Sequence, residues 1–291
     1  MKPPPFRYHA PRSKAEALEM LAGLEESRVL AGGQSLVPML NFRLVAPDHL
    51  VDINRIAELG GIETIGPTLR IGAMTRQAAI ETSEAVRECA PLLQAAVARV
   101  GHRPTRNRGT LGGSLCHLDP SAELVTASAA LDATLICESS AGSRRIPLAS
   151  WCEGYLTNSL RAHEMLVAVE YPVWPRGHGY AFKEYARRAG DFAIVGVAAL
   201  IAFDGDGAIE RAAVAVGGCA AAPQRLSEVE HRLVRTRGDA TTLREAARAA
   251  AAVDATSDPH VAADYRRHLA WVLTERALTE AMRRAVQGAA Q

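Results

Sequence analysis

Apolar side chains fall at helical spacing in some segments and in short strand-like runs in others, and together these segments divide the chain into three stretches. In the first, residues 13–26 show helical spacing behind Ser13, a predicted N-cap, with Glu16 at the capping-box position. Residues 28–33 (RVLAGG) read as a buried strand that enters a glycine turn, and residues 49–56 (HLVDINRI) as a second strand. The pattern predicts a compact α/β unit.

The second stretch begins near Leu59 and mixes strands with helices. Two short runs separated by Gly66 and Pro67 predict a β-hairpin at its start. The segment 106–113 (RNRGTLGG) reads as a loop between helical runs. The predicted helices cover residues 75–86, 91–101 and 121–133, and the predicted strands cover residues 133–139, 144–148 and 164–173.

The third stretch begins near Trp174 and ends in helices. Residues 180–203 read as two strands that flank a charged loop, and DGDG at 204–207 marks a hairpin turn into a further strand. DGDG is not a calcium loop, because no glutamate closes the spacing that an EF-hand requires. Beyond Pro223 the sequence is helical and rich in alanine and arginine. This stretch is therefore predicted to be an α+β unit with a sheet and helices.

Charge and cysteine content exclude several classes of protein. The 291 residues carry 33 Lys and Arg against 32 Asp and Glu, a balance that disfavours a nucleic-acid coat or a membrane-surface protein. None of the five cysteines forms a C-x-x-C pair, so the sequence encodes neither an iron–sulfur nor a zinc cluster of its own. No membrane span and no signal-peptide core are visible, so the expected location is cytoplasmic.

Two glycine pairs carry the clearest chemistry. AGGQS at 31–35 directly follows a predicted strand, and TLGGS at 110–114 repeats the pair between two hydroxyl residues. Glycine lets backbone N–H groups approach a ligand closely, so two such loops suit one extended ligand with several negative charges, such as a diphosphate. Neither loop is a Rossmann or P-loop fingerprint. Because a glycine pair is also common in ordinary turns, the residues alone indicate only a nucleotide-like ligand.

Four segments, taken in order, resemble one known family. They are AGGQSLVPMLNFRL (31–44), RNRGTLGGSLCHLDPSAEL (106–124), EMLVAVEYP (164–172) and FKEYARRAGDFAIVGVA (182–198). The chain resembles the medium, FAD-binding subunit of the molybdenum hydroxylases, as found in carbon monoxide dehydrogenase and in the flavin domain of xanthine dehydrogenase. The resemblance spans essentially the whole sequence.

The resemblance implies an α+β fold with a defined domain order. A two-subdomain FAD-binding fold of the vanillyl-alcohol-oxidase or PCMH type would be followed by a C-terminal α+β domain with an antiparallel sheet and helices. The expected divisions are residues 1–57 and 58–173 for the two FAD-binding subdomains and residues 174–291 for the C-terminal domain. FAD should lie extended between the first two, with its ring turned towards the third.

The resemblance also assigns cofactor-binding positions, and it assigns no catalytic or metal-binding residue. The first diphosphate loop matches Leu30, Ala31, Gly32, Gly33, Gln34, Ser35 and Leu36. The second matches Thr110, Leu111, Gly112, Gly113 and Ser114. The remaining matches are Glu123 near the ribose or adenosine end, Leu166 as an apolar contact, Lys183 near the flavin ring, and Asp191 and Phe192 in the loop that approaches the ring.

Three departures from the family pattern accompany these matches. Pro104 and Thr105 stand where relatives commonly have Gln-Ile, Ser114 replaces a frequent asparagine, and Glu123 is one methylene longer than the usual Asp. None of them removes a backbone donor, so FAD binding is expected to survive. Without the family context, Lys183 reads equally well as an exposed strand lysine, and a phenylalanine such as Phe192 is more often a core residue than a flavin cover.

The implied function is electron transfer within a larger enzyme. In the family, a substrate is hydroxylated at a molybdenum cofactor on a large subunit, and electrons pass through [2Fe–2S] clusters of a small subunit to FAD and then to NAD⁺, a quinone or oxygen. The resemblance therefore implies FAD here, large molybdopterin-binding and small [2Fe–2S] partner subunits, and a dimer of heterotrimers. Carbon monoxide, an aldehyde, a purine or an N-heteroaromatic compound are all open as the substrate.

Two other classes of function stay open at this point. One is a non-catalytic nucleotide-binding or scaffold protein of the same fold. The other is a self-sufficient flavin oxidase, which is disfavoured because the sequence shows no candidate substrate base and no motif for covalent attachment of a flavin.

Overall fold

A small parallel sheet opens the computed structural model, which describes residues 2–289. Strands β1 (Arg7–His9), β2 (Ser27–Leu30) and β3 (His49–Asp52) pair in the order β1-β3-β2. Parallel pairing requires crossover connections, and each crossover here contains a helix. The first stretch is therefore an α/β unit, as the pattern predicts.

Helix α1 (Lys14–Gly23) joins β1 to β2, and α2 (Leu36–Asn41) directly follows the first glycine pair. The Ser13 hydroxyl accepts a hydrogen bond from the Glu16 N–H at 3.2 Å, so the predicted N-cap is confirmed. The Glu16 carboxylate accepts from the Arg12 N–H at 2.8 Å instead of closing a capping box on Ser13.

Five antiparallel strands form the middle sheet in the order β4-β5-β10-β6-β7. These strands are β4 (Ile62–Ile65), β5 (Thr68–Gly72), β6 (Thr134–Ser139), β7 (Gly142–Pro147) and β10 (Met165–Pro172). The predicted hairpin is present, and Gly66 supplies the positive φ of 56° that its turn needs. Strands β8 (Cys152–Gly154) and β9 (Thr157–Asn158) form a separate two-stranded ladder.

Six short helices cover one face of the middle sheet and correct two predictions. They are α3 (Gln77–Thr82), α4 (Glu84–Cys89), α5 (Pro91–Val97), α6 (Arg103–Arg108), α7 (Leu111–His117) and α8 (Glu123–Ala130). The single helix predicted at 75–86 is wrong, because Ser83 has an extended backbone and caps the start of α4. The loop predicted at 106–113 is also wrong, since that segment contains the end of α6 and the start of α7.

The third unit is an antiparallel sheet backed by helices. Its strands are β11 (Gly179–Tyr185), β12 (Val195–Phe203), β13 (Ile209–Gly217) and β14 (Gln224–Arg225), paired in chain order. Its helices are α9 (Ser227–Leu233), α10 (Ala240–Arg248) and α11 (Ala263–Ala289). The two strands predicted around a charged loop are β11 and β12, and DGDG does make the turn into β13. The short strand β14 was not expected from the pattern.

The hydrophobic cores show that the helical layer is shared between two sheets. Leu93 of α5 and Leu124 of α8 belong to the same buried cluster as Leu200 of β12, so these helices pack between the middle sheet and the third sheet. On the opposite face of the middle sheet, Val51 of β3 joins a cluster with Ile136 of β6. Within residues 2–289, no helix is both long enough and apolar enough to cross a membrane.

Candidate functional site

A cleft of about 320 Å³ lies where β2 and β3 end and the first glycine pair leaves the sheet. Ligands of parallel α/β units commonly bind beyond the carboxyl ends of the strands, so this position suits a binding site. The lining combines residues of the first loop, the last residue of β3, a polar residue just beyond β3 and one arginine from α6. The lining residues are Leu30, Ala31, Gly32, Gly33, Gln34, Val37, Pro38, Asp52, Asn54 and Arg108.

The first glycine loop offers hydrogen-bond donors that the protein itself does not use. Among residues 2–289, the backbone N–H groups of Gly32, Gly33, Gln34 and Ser35 have no protein partner. Gly33 has a φ of 72°, the left-handed conformation in which consecutive N–H groups can turn towards one centre. Such a concave set of N–H groups is an anion-binding nest. The donor set therefore fits the diphosphate of FAD.

The two glycine segments meet at this cleft. A Cβ on Gly32 would overlap the carbonyl oxygen of Arg108 and would lie 2.9 Å from the Cα of Gly109. A Cβ on Gly113 would lie 3.8 Å from the Cβ of Ala31. Glycine at position 32 is thus required by the close approach of the segment that leads into α7. This contact between Gly32 and the backbone at Arg108 supports the prediction that the two segments border one cleft.

The second segment differs from the first in what it can donate. The N–H groups of Leu111 and Gly112 bond to carbonyl oxygens near the end of β5, at 3.1 and 2.9 Å. The Gly113 N–H donates to the Thr110 hydroxyl at 3.1 Å, and the Ser114 N–H donates to the Thr110 carbonyl at 3.2 Å. These donors hold the start of α7 in place, so this segment shapes the cleft rather than presenting a second set of free N–H groups.

Three polar residues that the motif comparison did not single out tie the segments together. Arg76 donates to Oδ1 of Asn54 and to the carbonyl oxygen of Arg108, each at 2.6 Å. Asn54 donates from Nδ2 to the carbonyl oxygen of Ala31 at 2.8 Å. Asp52 accepts from the Asn54 N–H at 2.9 Å. Polar residues directly after a strand are the signal that could have indicated Asp52 and Asn54, whereas nothing in the sequence pattern indicates Arg76.

Two arginines and one carboxylate set the charge around the cleft. Partial burial, together with the nearby guanidinium of Arg108, lowers the pKa of Arg76. Burial opposes ionisation of Asp52, but hydrogen bonds from Tyr8 and Asn54 outweigh it and lower the pKa of Asp52. The Tyr8 hydroxyl donates to Asp52 Oδ2 at 2.6 Å. Asp52 is therefore a satisfied carboxylate, while the two arginines lie close to each other.

Glu123 lies apart from this cleft, in the first turn of α8. It is 7% exposed, and burial, together with the nearby carboxylates of Glu184 and Asp119, raises its pKa to about 7. Burial also raises the pKa of Glu184, which follows Lys183 in β11. The structure therefore places Glu123 at the boundary between the helical layer and the third sheet.

The four remaining matched positions are distributed over two units. Leu166 is buried in the core of the middle sheet together with Leu111 of α7. The charge of Lys183 helps to lower the pKa of Glu280 in α11, so Lys183 lies on the face of the third sheet that α11 covers. Asp191 and Phe192 lie in the exposed loop between β11 and β12, and Phe192 is 71% exposed.

This loop of the third unit contacts the residue directly before α6. A Cβ on Gly190 would overlap the imidazole ring of His102, which directly precedes α6. The loop therefore lies beside the helix that ends at Arg108. Within residues 2–289, no group of three or more His, Cys, Asp or Glu side chains is arranged to hold a metal ion.

Two family models match the chain. Residues 4–174 match the FAD binding domain in molybdopterin dehydrogenase, and residues 180–281 match the CO dehydrogenase flavoprotein C-terminal domain. Among curated proteins, the 6-hydroxypseudooxynicotine dehydrogenase complex subunit alpha of Paenarthrobacter nicotinovorans is 40% identical over 287 residues, covering 98% of this chain and 97% of that protein.

Solved structures agree with these matches. A carbon monoxide dehydrogenase from Hydrogenophaga pseudoflava, which lacks the Mo-pyranopterin moiety of the molybdenum cofactor, has a chain that superposes with a TM-score of 0.94 at 35% identity. Quinoline 2-oxidoreductase from Pseudomonas putida 86 has a chain that superposes with a TM-score of 0.93 at 38% identity. In both cases the match covers 98% of this chain and 99% of the other.

Proposed function

The chain belongs to the family of FAD-binding medium subunits of the molybdenum hydroxylases, and we propose that it holds FAD between its two glycine segments and passes electrons from a partner's iron–sulfur clusters to an external acceptor. Family membership makes the protein an oxidoreductase subunit with FAD as its cofactor. The predicted recognition, fold class and cofactor are thereby confirmed. The path of the electrons and the individual binding residues are the proposal.

One observation carries the proposed position of FAD. Four consecutive N–H groups, from Gly32 to Ser35, have no protein partner within residues 2–289 and border a cleft that also contains Arg108. Unpaired backbone donors are uncommon unless water or a ligand satisfies them. A diphosphate would satisfy several donors at once, so the middle of FAD is assigned to this loop.

The other matched residues are assigned supporting roles. Leu30, Ala31 and Leu36 flank the nest, and Thr110, Leu111, Gly112, Gly113 and Ser114 form the opposite wall. Glu123, Leu166, Lys183, Asp191 and Phe192 are assigned to the remainder of FAD, with Asp191 and Phe192 on the ring side. The support for the ring side is the contact of Gly190 with His102, which brings this loop next to α6.

When bound, FAD supplies a redox centre that accepts and releases electrons, and the protein contributes binding, orientation and shielding. The free N–H groups would bind the negatively charged diphosphate, and the positive φ of Gly33 lets them turn towards one centre. Phe192 is exposed and can cover a planar ring without losing any packing of its own. No residue of this chain is assigned an acid–base step.

The proposed assembly follows from the family, and it agrees with a sequence that has no C-x-x-C pair for an iron–sulfur cluster. A large molybdopterin-binding subunit would oxidise the substrate, and a small subunit with [2Fe–2S] clusters would deliver electrons to this chain, in a dimer of heterotrimers located in the cytoplasm. The substrate belongs to the large subunit, and carbon monoxide, an aldehyde, a purine or an N-heteroaromatic compound are the candidate classes.

The test is to produce the full chain together with the subunits encoded beside it and to analyse the purified complex. We expect about one FAD per chain, released intact on denaturation, and a flavin absorbance that bleaches when dithionite is added as the electron donor under anaerobic conditions. Binding of an adenine nucleotide without any reducible flavin would instead support a non-catalytic nucleotide-binding protein. A complex that neither contains FAD nor takes it up would contradict the proposal.

A further inference from the structure

Arg108 differs from the other arginines of its helix. The residue lines the cleft, and within residues 2–289 its exposed side chain has no hydrogen bond or ion pair. Arg106, two positions earlier, is fully engaged, since it donates to both carboxylate oxygens of Glu81 at 2.8 and 3.1 Å. Arg103 is exposed and does not line the cleft. A free guanidinium beside free N–H groups is a donor set without an acceptor.

The backbone that carries Arg108 is held in place from two sides. Arg76 donates to the Arg108 carbonyl oxygen at 2.6 Å, and the missing side chain of Gly32 leaves room for the same oxygen. Through its second terminal nitrogen, Arg76 also bonds Asn54, which in turn bonds the carbonyl of Ala31. Arg76 therefore fixes the distance between Arg108 and the first glycine loop.

This arrangement places two guanidinium groups near each other with little compensation. The positive charge of Arg108 disfavours the charged form of Arg76, and Asp52, the carboxylate that opposes this effect, also accepts hydrogen bonds from Tyr8 and Asn54. Like charges held at the edge of a cleft are stabilised when an anion enters between them. The charge balance of the site is therefore completed by an anionic ligand.

We propose that Arg108 is the side chain that pairs with the diphosphate of FAD and that Arg76 is a positioning residue, which holds Arg108 opposite the free N–H groups of the first loop. This assignment rests on the proposed function and names the charged contact within it. A guanidinium can offer two parallel N–H groups to phosphate oxygens, which a lysine cannot do. Arg108 thereby favours FAD over riboflavin, which has no phosphate.

The experiment compares FAD dissociation constants for the deflavinated full chain in its complex. We expect Arg108→Gln to weaken FAD binding by about 10- to 100-fold, because hydrogen bonds to charged groups contribute about 1.5–3 kcal/mol and 1.4 kcal/mol is tenfold. Arg108→Lys should recover part of the loss. Arg103→Gln, on the same helix but outside the cleft, is the matched control and should bind as the wild type does.

Salt dependence separates a charge contact from a packing effect. FAD binding to the wild type should weaken as salt concentration rises, and Arg108→Gln should reduce that dependence, since one charge pair is removed. Riboflavin should bind wild type and Arg108→Gln equally. A wild type that binds FAD while Arg108→Gln shows the same affinity and the same salt dependence would overturn the assignment and leave the proposed function intact. A wild type that binds no FAD would overturn both.

A double-mutant cycle tests the positioning role of Arg76. If Arg76 acts through Arg108, Arg76→Ala should weaken FAD binding in the wild type but have little further effect in Arg108→Gln. The melting temperature of the deflavinated chain monitors any general loss of structure. Losses that add fully in the double variant would contradict the positioning role.

Discussion

Gly32 is the residue at which the two sides of the cleft touch. A methyl group there would overlap the Arg108 carbonyl oxygen, which Arg76 also holds, so the second segment cannot move aside freely. We expect Gly32→Ala to lower the free energy of unfolding by about 1–3 kcal/mol through overpacking, and to lower FAD occupancy of the purified complex sharply. Urea unfolding and the flavin-to-protein ratio are the two measurements.

Gly23 provides the matched control for this prediction. It is the last residue of α1, and a Cβ built on it would meet no atom within 4 Å. Gly23→Ala should therefore keep the wild-type flavin content and at least the wild-type stability. Equal flavin content in Gly32→Ala and Gly23→Ala would show that the close approach at Gly32 does not govern the cleft.

Glu123 gives a prediction of pH dependence at the residue scale. Burial raises its pKa from 4.5 to about 7, so the folded chain binds this proton more tightly than the unfolded chain does. The stabilising contribution is therefore fully present below the ordinary pKa and is lost as the pH rises through about 7. At about 1.4 kcal/mol per pKa unit, the loss is on the order of 3 kcal/mol.

We expect Glu123→Gln to remove this loss, since a neutral amide does not pay for ionisation in a buried site. The free energy of unfolding of the flavin-free chain, measured at about pH 5 and about pH 8, should fall less in Glu123→Gln than in the wild type. The exposed Glu19 of α1 makes no ion pair within residues 2–289, and Glu19→Gln should follow the wild type at both pH values. Parallel curves for wild type and Glu123→Gln would contradict the prediction.

At the scale of elements, α7 depends on its cap. The Thr110 hydroxyl accepts from the Gly113 N–H, which is otherwise an unpaired donor at the start of a short helix. Thr110→Ala should cost about 1 kcal/mol of unfolding free energy and weaken FAD binding, because the wall of the cleft loses its anchor. Thr110→Ser keeps the hydroxyl oxygen and should retain most of the stability and most of the FAD affinity. If Thr110→Ser lost as much of each as Thr110→Ala, a capping role would be contradicted.

The same helix shows how far the sequence alone could go. Thr110 and the glycine pair were identifiable as a special turn, and the family resemblance identified their ligand. The hydrogen bonds from Leu111 and Gly112 to the carbonyls of Thr75 and Ala73 were not identifiable, since those acceptors lie just after β5, which is remote along the chain. Periodicity reports which face of an element is buried, but it does not report which backbone groups a distant strand will satisfy.

Boundaries of elements failed for a related reason. The apolar spacing over 75–86 continues through Ser83, so it predicts one helix, but the hydroxyl of Ser83 captures the Val86 N–H and starts a second one. The long strands β10, β12 and β13 were predicted well, because they are apolar runs bounded by polar turns, whereas the two-residue strand β14 was missed. Arg76 could not be found, because its role depends on two tertiary hydrogen bonds, to Arg108 and Asn54, and on no local pattern.

At the scale of the whole molecule, the layer formed by α5 and α8 joins the middle sheet to the third unit. Strand β12 has a buried side chain on each face: Leu200 packs with the α5–α8 layer, and Ile201 packs with the core around α11. Both side chains are fully buried. One face of β12 therefore contributes to the interior core of the third unit, and the other face holds this unit against the rest of the chain.

Leu200→Ala and Ile201→Ala test this separation. Each should lower the free energy of unfolding by about 2–5 kcal/mol, because each leaves a cavity in a core. Only Leu200→Ala loosens the contact that carries the loop with Asp191 and Phe192 towards α6, so only it should also weaken FAD binding at a temperature where both variants remain folded. Equal FAD affinities in the two variants would contradict the prediction. They would mean that the face of β12 packed on α5 and α8 matters no more for the cofactor site than the face packed on α11.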